Sequence, residues 1–161
     1  KDKYSKNNDG DKKKEFKKIV NYCGNIELRS EILDYLLSEF DINTDPKKFY
    51  LNSDEIKYIS DLGMIIGSHS VNHNLLSRLN KKEQTIELKN SKKVLENITK
   101  KECNIFCFPY GGKDSFDNHS INLLKNLNYK YNFDVHSKDF SKNDLLNFPF
   151  EIPRYDCNEF N

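Results

Sequence analysis

Three short runs that read as buried strands, Met64-Ile65-Ile66, Asn104-Ile105-Phe106-Cys107-Phe108 and residues 129–135, are separated by helix-length amphipathic segments. This alternation constrains the fold more than any other feature. Strands of one sheet joined through helices run parallel, since a parallel pair needs a crossover of about a dozen residues. A fourth run, residues 148–155, is kept short by Pro149 and Pro153. Residues 27–40 place Ile32, Leu33, Leu36, Leu37 and Phe40 on one helical stripe, and a polar break containing Pro46 follows. Ser53 is expected to cap a short helix that carries Ile56, Ile59 and Leu62 and stops at Gly63. Asn80 followed by Glu83 is a capping-box signature. It predicts a helix to about Thr99, with Leu88, Val94, Leu95 and Ile98 facing inward. Asn118 or Ser120 opens the next one, carrying Ile121, Leu124 and Leu127. The expected class is α/β with a parallel sheet, in which ligands gather beyond the carboxyl ends of the strands.

Two of the four histidines stand at such an end. Gly67-Ser68-His69-Ser70-Val71-Asn72-His73 directly follows the first strand-like run, with His69 and His73 four residues apart. Imidazoles at that spacing converge on one divalent ion if the backbone coils there, while the plain alternative is a pair of hydrogen-bonded loop histidines. A zinc-protease helix needs Glu directly after the first His, and Ser70 stands there instead. The turn Phe108-Pro109-Tyr110-Gly111 ends the second run. It falls on the same rim as the histidine pair.

Composition narrows the field. Hydrophobic residues make up 36% of the 161 and charged residues 32%, and much of the excess charge sits in residues 1–15. That stretch reads as a charged flexible segment, with residues 16–161 as the folded domain. The net charge is +1 with both signs interspersed, so nothing argues for nucleic acid. No apolar run approaches a membrane span, and the compartment stays open. The four cysteines form no metal pattern and read as buried free thiols.

Taken together, Gly-Met-Ile-Ile-Gly-Ser-His with His69-Ser70-x-x-His73, Phe108-Pro109-Tyr110-Gly111, the residue 129–133 strand and Ile152-Pro153-Arg154 resemble the polysaccharide deacetylase family. This is the NodB-homology group, carbohydrate esterase family 4, and the likeness runs from about residue 51 to residue 157. The resemblance implies a distorted (β/α) barrel of parallel strands, here partial and missing its first strand or strands. It implies removal of acetyl groups from an N-acetylated carbohydrate polymer. His69 and His73 would be two ligands of a divalent metal, Zn²⁺ first, and Ser70 would orient a ligand. The Tyr110 backbone N–H would hold the oxyanion, and Pro109 and Gly111 would line the substrate.

The chain departs from the pattern in three places. The family's first motif, an apolar strand ending in Asp-Asp, supplies the third metal ligand and the general base. Only Asn8-Asp9-Gly10 mimics it, without an apolar strand before it. The expectation is therefore that the domain begins upstream of Lys1 and that this chain hydrolyses little. Cys107 stands where many members have an Arg that orients the catalytic carboxylate, a role that Arg154 could take. The late Leu-x-His motif is not visible, which leaves His136 as the candidate general acid. The alternative is a catalytically inactive relative that binds glycan or protein.

Overall fold

The computed structural model describes residues 12–23, 26–40, 45–156 and 160. The chain divides into two compact units, residues 1–50 and 51–161. In the first, helix α1 spans Lys12–Lys18, a π turn Ile19–Cys23, and helix α2 Ile26–Glu39. The expected flexible stretch is thus helical from Lys12 onward. The expected stripe on α2 is only half-buried at Ile32 and Leu36, with Leu33, Leu37 and Phe40 exposed. Asn8-Asp9-Gly10 lies outside the described residues.

The second unit holds α3 (Ser53–Asp61), α4 (Lys81–Thr99), β1 (Ile105–Cys107), α5 (Asn118–Asn126), β2 (Tyr131–Phe133) and α6 (Lys142–Asn147). Each helix start is written in side chains. Asn52 caps α3, one residue earlier than expected. Its carboxamide accepts from Glu55 N while Glu55 accepts from Asn52 N. Asn80 and Glu83 form the expected box on α4. Asp117 with Ser120 opens α5, and Ser141 with Asp144 opens α6, a helix the sequence reading missed. A cap of this kind stabilises a helix by about 1 kcal/mol.

β1 and β2 pair in parallel, with Ile105 opposite Tyr131 and Cys107 opposite Phe133. Single bridges extend the sheet on both sides, Ser68 to Phe106 and Phe133 to Ile152. The architecture is therefore α/β with a parallel sheet. A closed barrel is not what the described residues display, since they contain two strands. The run of residues 148–155 contributes only the Ile152 bridge. Met64-Ile65-Ile66 is not the expected buried strand either. It joins no ladder, with Met64 64% and Ile65 77% exposed, because pairing to β1 begins only at Ser68.

Alternation gives the sheet two different faces. Phe106 and Asn132 are fully buried, while their neighbours Ile105, Cys107, Tyr131 and Phe133 are half-buried or exposed. The buried face packs on Leu76, Leu79, Leu88, Leu124 and Tyr129 to form the core. Phe106 meets Phe108 and Tyr129 edge to face, and Phe108 stacks on Phe116 at 3.9 Å between ring centres. Helix α4 ties itself to the sheet through Ser91, whose hydroxyl accepts from Ser68 Oγ at 2.7 Å. Val94, expected to face inward, is exposed. The inward stripe is instead Gln84, Glu87, Leu88 and Ser91, which is largely polar.

Candidate functional site

The histidine loop starts where the Ser68 bridge ends. His69 Nδ1 lies 2.7 Å from the carbonyl oxygen of Cys107, the last residue of β1. A carbonyl only accepts, so Nδ1 carries the proton. The neutral ring then keeps its lone pair on Nε2. This is how a metal-ligating histidine is held. Ser70 takes up φ +66°, and from there its hydroxyl accepts the His73 N–H at 3.1 Å. His73 is itself left-handed at φ +54°. Left-handed residues without glycine cost energy and persist where the surroundings hold them.

What holds this loop is Glu87 of α4, 4% exposed. Its Oε2 accepts the N–H groups of Val71 and Asn72 at 2.8 and 2.9 Å, and its Oε1 accepts Asn72 Nδ2 at 2.6 Å. Three hydrogen bonds to one carboxylate fix the segment between the histidines. The sequence reading did not single out Glu87. The signal was present, since Gln84, Glu87, Leu88 and Ser91 share one helical stripe.

The two imidazoles meet edge to face with centroids 4.8 Å apart, and His73 meets the Tyr110 ring in the same way at 4.7 Å. The Pro109–Gly112 turn therefore stands beside the pair, as the shared rim predicted. Tyr110 and Gly111 both have positive φ, 64° and 66°. Gly111 is required there. A Cβ would lie 2.3 Å from Val135 Cγ2 and 2.8 Å from the Val135 nitrogen, which donates to Gly111 O at 2.8 Å. Pro109 and Gly111 are buried and Ser70 is half-buried.

Arg154 lies beside the Cys107 side chain, one residue from His69 through the Cys107 carbonyl. Burial pushes the Cys107 thiol up, with the Arg154 guanidinium opposing it. Cys107 thus offers a thiol rather than a thiolate. His136 is tied elsewhere, its Nδ1 2.5 Å from Asp134 Oδ1. Asp134 is buried, and that burial raises its carboxyl above the ordinary range against the opposing pull of His136. Asp134 also escaped the sequence reading, though it falls at the strand end two residues before His136. Its backbone is clamped, with Asp134 N donating to Ile152 O at 3.0 Å.

For a divalent ion, the donors on offer are the two adjacent imidazoles, with Nε2 of His69 left open by the Cys107 contact. Among the described residues no group of three or more His, Cys, Asp or Glu gathers around a common point. The two histidines fit a metal. Further ligands would be water or residues outside those described.

The chain matches the polysaccharide deacetylase family model over residues 31–132, well over half its length. No curated protein matches it. Among solved structures it is similar to the deacetylase PplD of Streptococcus pyogenes in complex with acetate. The two share 23% identity and a TM-score of 0.59, over 74% of this chain and 48% of that one. It is also similar to a polysaccharide deacetylase from Bacillus cereus, at 24% identity and TM-score 0.56, over 65% and 32%. A de-N-acetylase from Aggregatibacter actinomycetemcomitans gives 17% and 0.54, over 66% and 48%. These likenesses establish the fold, and the chain spans about half or less of each of these proteins. On the match over residues 31–132, which takes in both histidines and the Pro109–Gly112 turn, the chain belongs to the polysaccharide deacetylase family.

Proposed function

We propose that this chain carries the histidine half of a metal-dependent site for hydrolysing N-acetyl groups on a carbohydrate polymer. The observation that carries the reading is the His69 Nδ1 contact to Cys107 O, which leaves Nε2 as the ligating nitrogen, with His73 against it. His69 and His73 would hold the ion, Zn²⁺ first, with Ser70 positioning His73 through its backbone. When bound, such an ion polarises an amide carbonyl and lowers the pKa of water to roughly 7. The Tyr110 backbone N–H would donate to the carbonyl oxygen as charge develops on it, the kind of stabilisation that is worth several kcal/mol. Pro109 and Gly111 would shape the wall against the acetamido group. His136, with Nδ1 committed to Asp134, would deliver a proton from Nε2 to the departing amine.

A second reading has its own support. No carboxylate among the described residues joins the histidine pair, so a glycan could be bound here without turnover. Two measurements separate the readings. The chain should bind zinc weakly, through the two imidazoles and water, and lose that binding in His69→Ala; zinc retained through dialysis would show a third ligand. Acetate release from an N-acetylglucosamine oligomer, abolished in His73→Ala, would favour hydrolysis. Saturable oligomer binding with no acetate released would favour the binding module.

A further inference from the structure

The chain from His69 to His73 leaves one buried residue and returns to others. Ser68 is 1% exposed, and Leu75 and Leu76 are buried. Ser68 is held on three sides. Its N–H donates to Ile105 O at 2.8 Å, its carbonyl accepts Cys107 N at 2.9 Å, and its hydroxyl donates to Ser91 Oγ at 2.7 Å. Ser91 in turn donates to Leu88 O at 3.1 Å, which also accepts from the Tyr129 hydroxyl at 3.2 Å. Beyond His69 the chain is held a second time, at Val71 and Asn72, by Glu87. Glu87 and Ser91 stand four residues apart on α4, one turn and about 6 Å along its axis. One helix thus grips the chain immediately before His69 and again immediately before His73.

Packing does not account for these two side chains. Burying a carboxylate or a hydroxyl costs free energy, and an apolar residue would fill the same helical stripe. Glu87 has no ion-pair partner among the described residues, and both its oxygens are turned to the loop. What the two points hold is a geometry that chelation needs. Two imidazoles on a slack loop bind an ion as separate ligands. Fixed side by side, here with centroids 4.8 Å apart, they bind it as a pair, because the second imidazole is present at high effective concentration once the first is engaged.

We propose that Glu87 and Ser91 are positioning residues for the ion, a two-point mount on α4 that keeps His69 and His73 in the chelating arrangement without touching the metal. The proposal rests on the metal reading of the two histidines. Its distinctive consequence is that the two points are coupled. The advantage of the pair is lost when either point is released, so releasing the second has little left to remove.

The full chain and its variants are titrated with zinc and followed by the histidine-ring signals in NMR, which report weak binding. Glu87→Gln should weaken zinc about tenfold and Ser91→Ala about fivefold, and the double variant should lose about tenfold rather than the product of about fiftyfold. Amide exchange at Val71 and Asn72 should accelerate in Glu87→Gln by a larger factor than at Phe106 and Cys107. Leu124→Val, a core truncation on α5, should leave the zinc affinity of the folded chain unchanged.

Zinc bound equally by the parent and both single variants overturns the mount and leaves the metal reading standing. Losses that multiply in the double variant do the same, as does a loss in Leu124→Val as large as in Glu87→Gln. Histidine signals that zinc does not move in the parent remove the metal reading itself, and the mount with it.

Discussion

The two faces of the small sheet carry similar side chains and behave differently. Phe106 and Ile105 are adjacent on β1, yet Phe106 is fully buried among Leu88, Leu124 and Tyr129 while Ile105 stays half-exposed. The helix-covered face is bound by apolar packing and by hydrogen bonds from α4. The other face holds Cys107, Tyr131 and Phe133 in line with His69 and Arg154. The difference teaches that one side of the same three-residue strands carries the packing, while the other is left open beside the candidate site residues.

The strongest way to break that contrast is to truncate both sides. Phe106→Ala should lower stability by about 3–5 kcal/mol, the range for a buried aromatic. Ile105→Ala should cost clearly less, and equal losses in urea denaturation would refute the distinction. Next in size is Glu87→Gln, which replaces a buried carboxylate that accepts three hydrogen bonds. A loss of about 2 kcal/mol is expected, since bonds to a charged group are worth about 1.5–3 kcal/mol each and Gln keeps one acceptor. Because Glu87 holds the histidine loop from the covered side, zinc affinity should fall with it. Unchanged zinc binding would show that the loop does not depend on α4.

Gly111→Ala probes the rim between the faces. Its positive φ and the Val135 nitrogen 2.8 Å from a new Cβ should together cost about 1–3 kcal/mol. A thermal melt indistinguishable from the parent would contradict the close approach. The smallest effect concerns pH. Burial raises the folded-state pKa of Asp134. A carboxyl that holds its proton more tightly when folded favours the native state at acid pH. That contribution is complete below the unfolded value near about 4 and is lost as pH rises through the raised folded value. Asp134→Asn should flatten this part of the stability–pH curve, and an unaltered curve would place the titration elsewhere.

Much of the fold was legible because its signals are local. The Asn80–Glu83 box, the Gly63 stop and the strand at Ile105–Cys107 depend on neighbours within a few residues. The Met64-Ile65-Ile66 run misled because burial of an apolar segment depends on what packs against it, and composition does not report that. Val94 misled for the same reason. Glu87 and Asp134 were overlooked because a buried carboxylate looks like a solvated one until its donors arrive from distant segments.

His69, His73 and the Pro109–Gly112 turn were set by the sequence alone as candidates, through residue type, spacing and position after strands. Only the tertiary structure decided how they work together. The Cys107 carbonyl fixes the His69 proton, Glu87 pins the loop from sixteen residues away, and Tyr110 comes to rest on His73. Hydrogen-bond direction and ring contact are properties of atoms brought within a few ångströms. Chain order alone does not specify which atoms those will be.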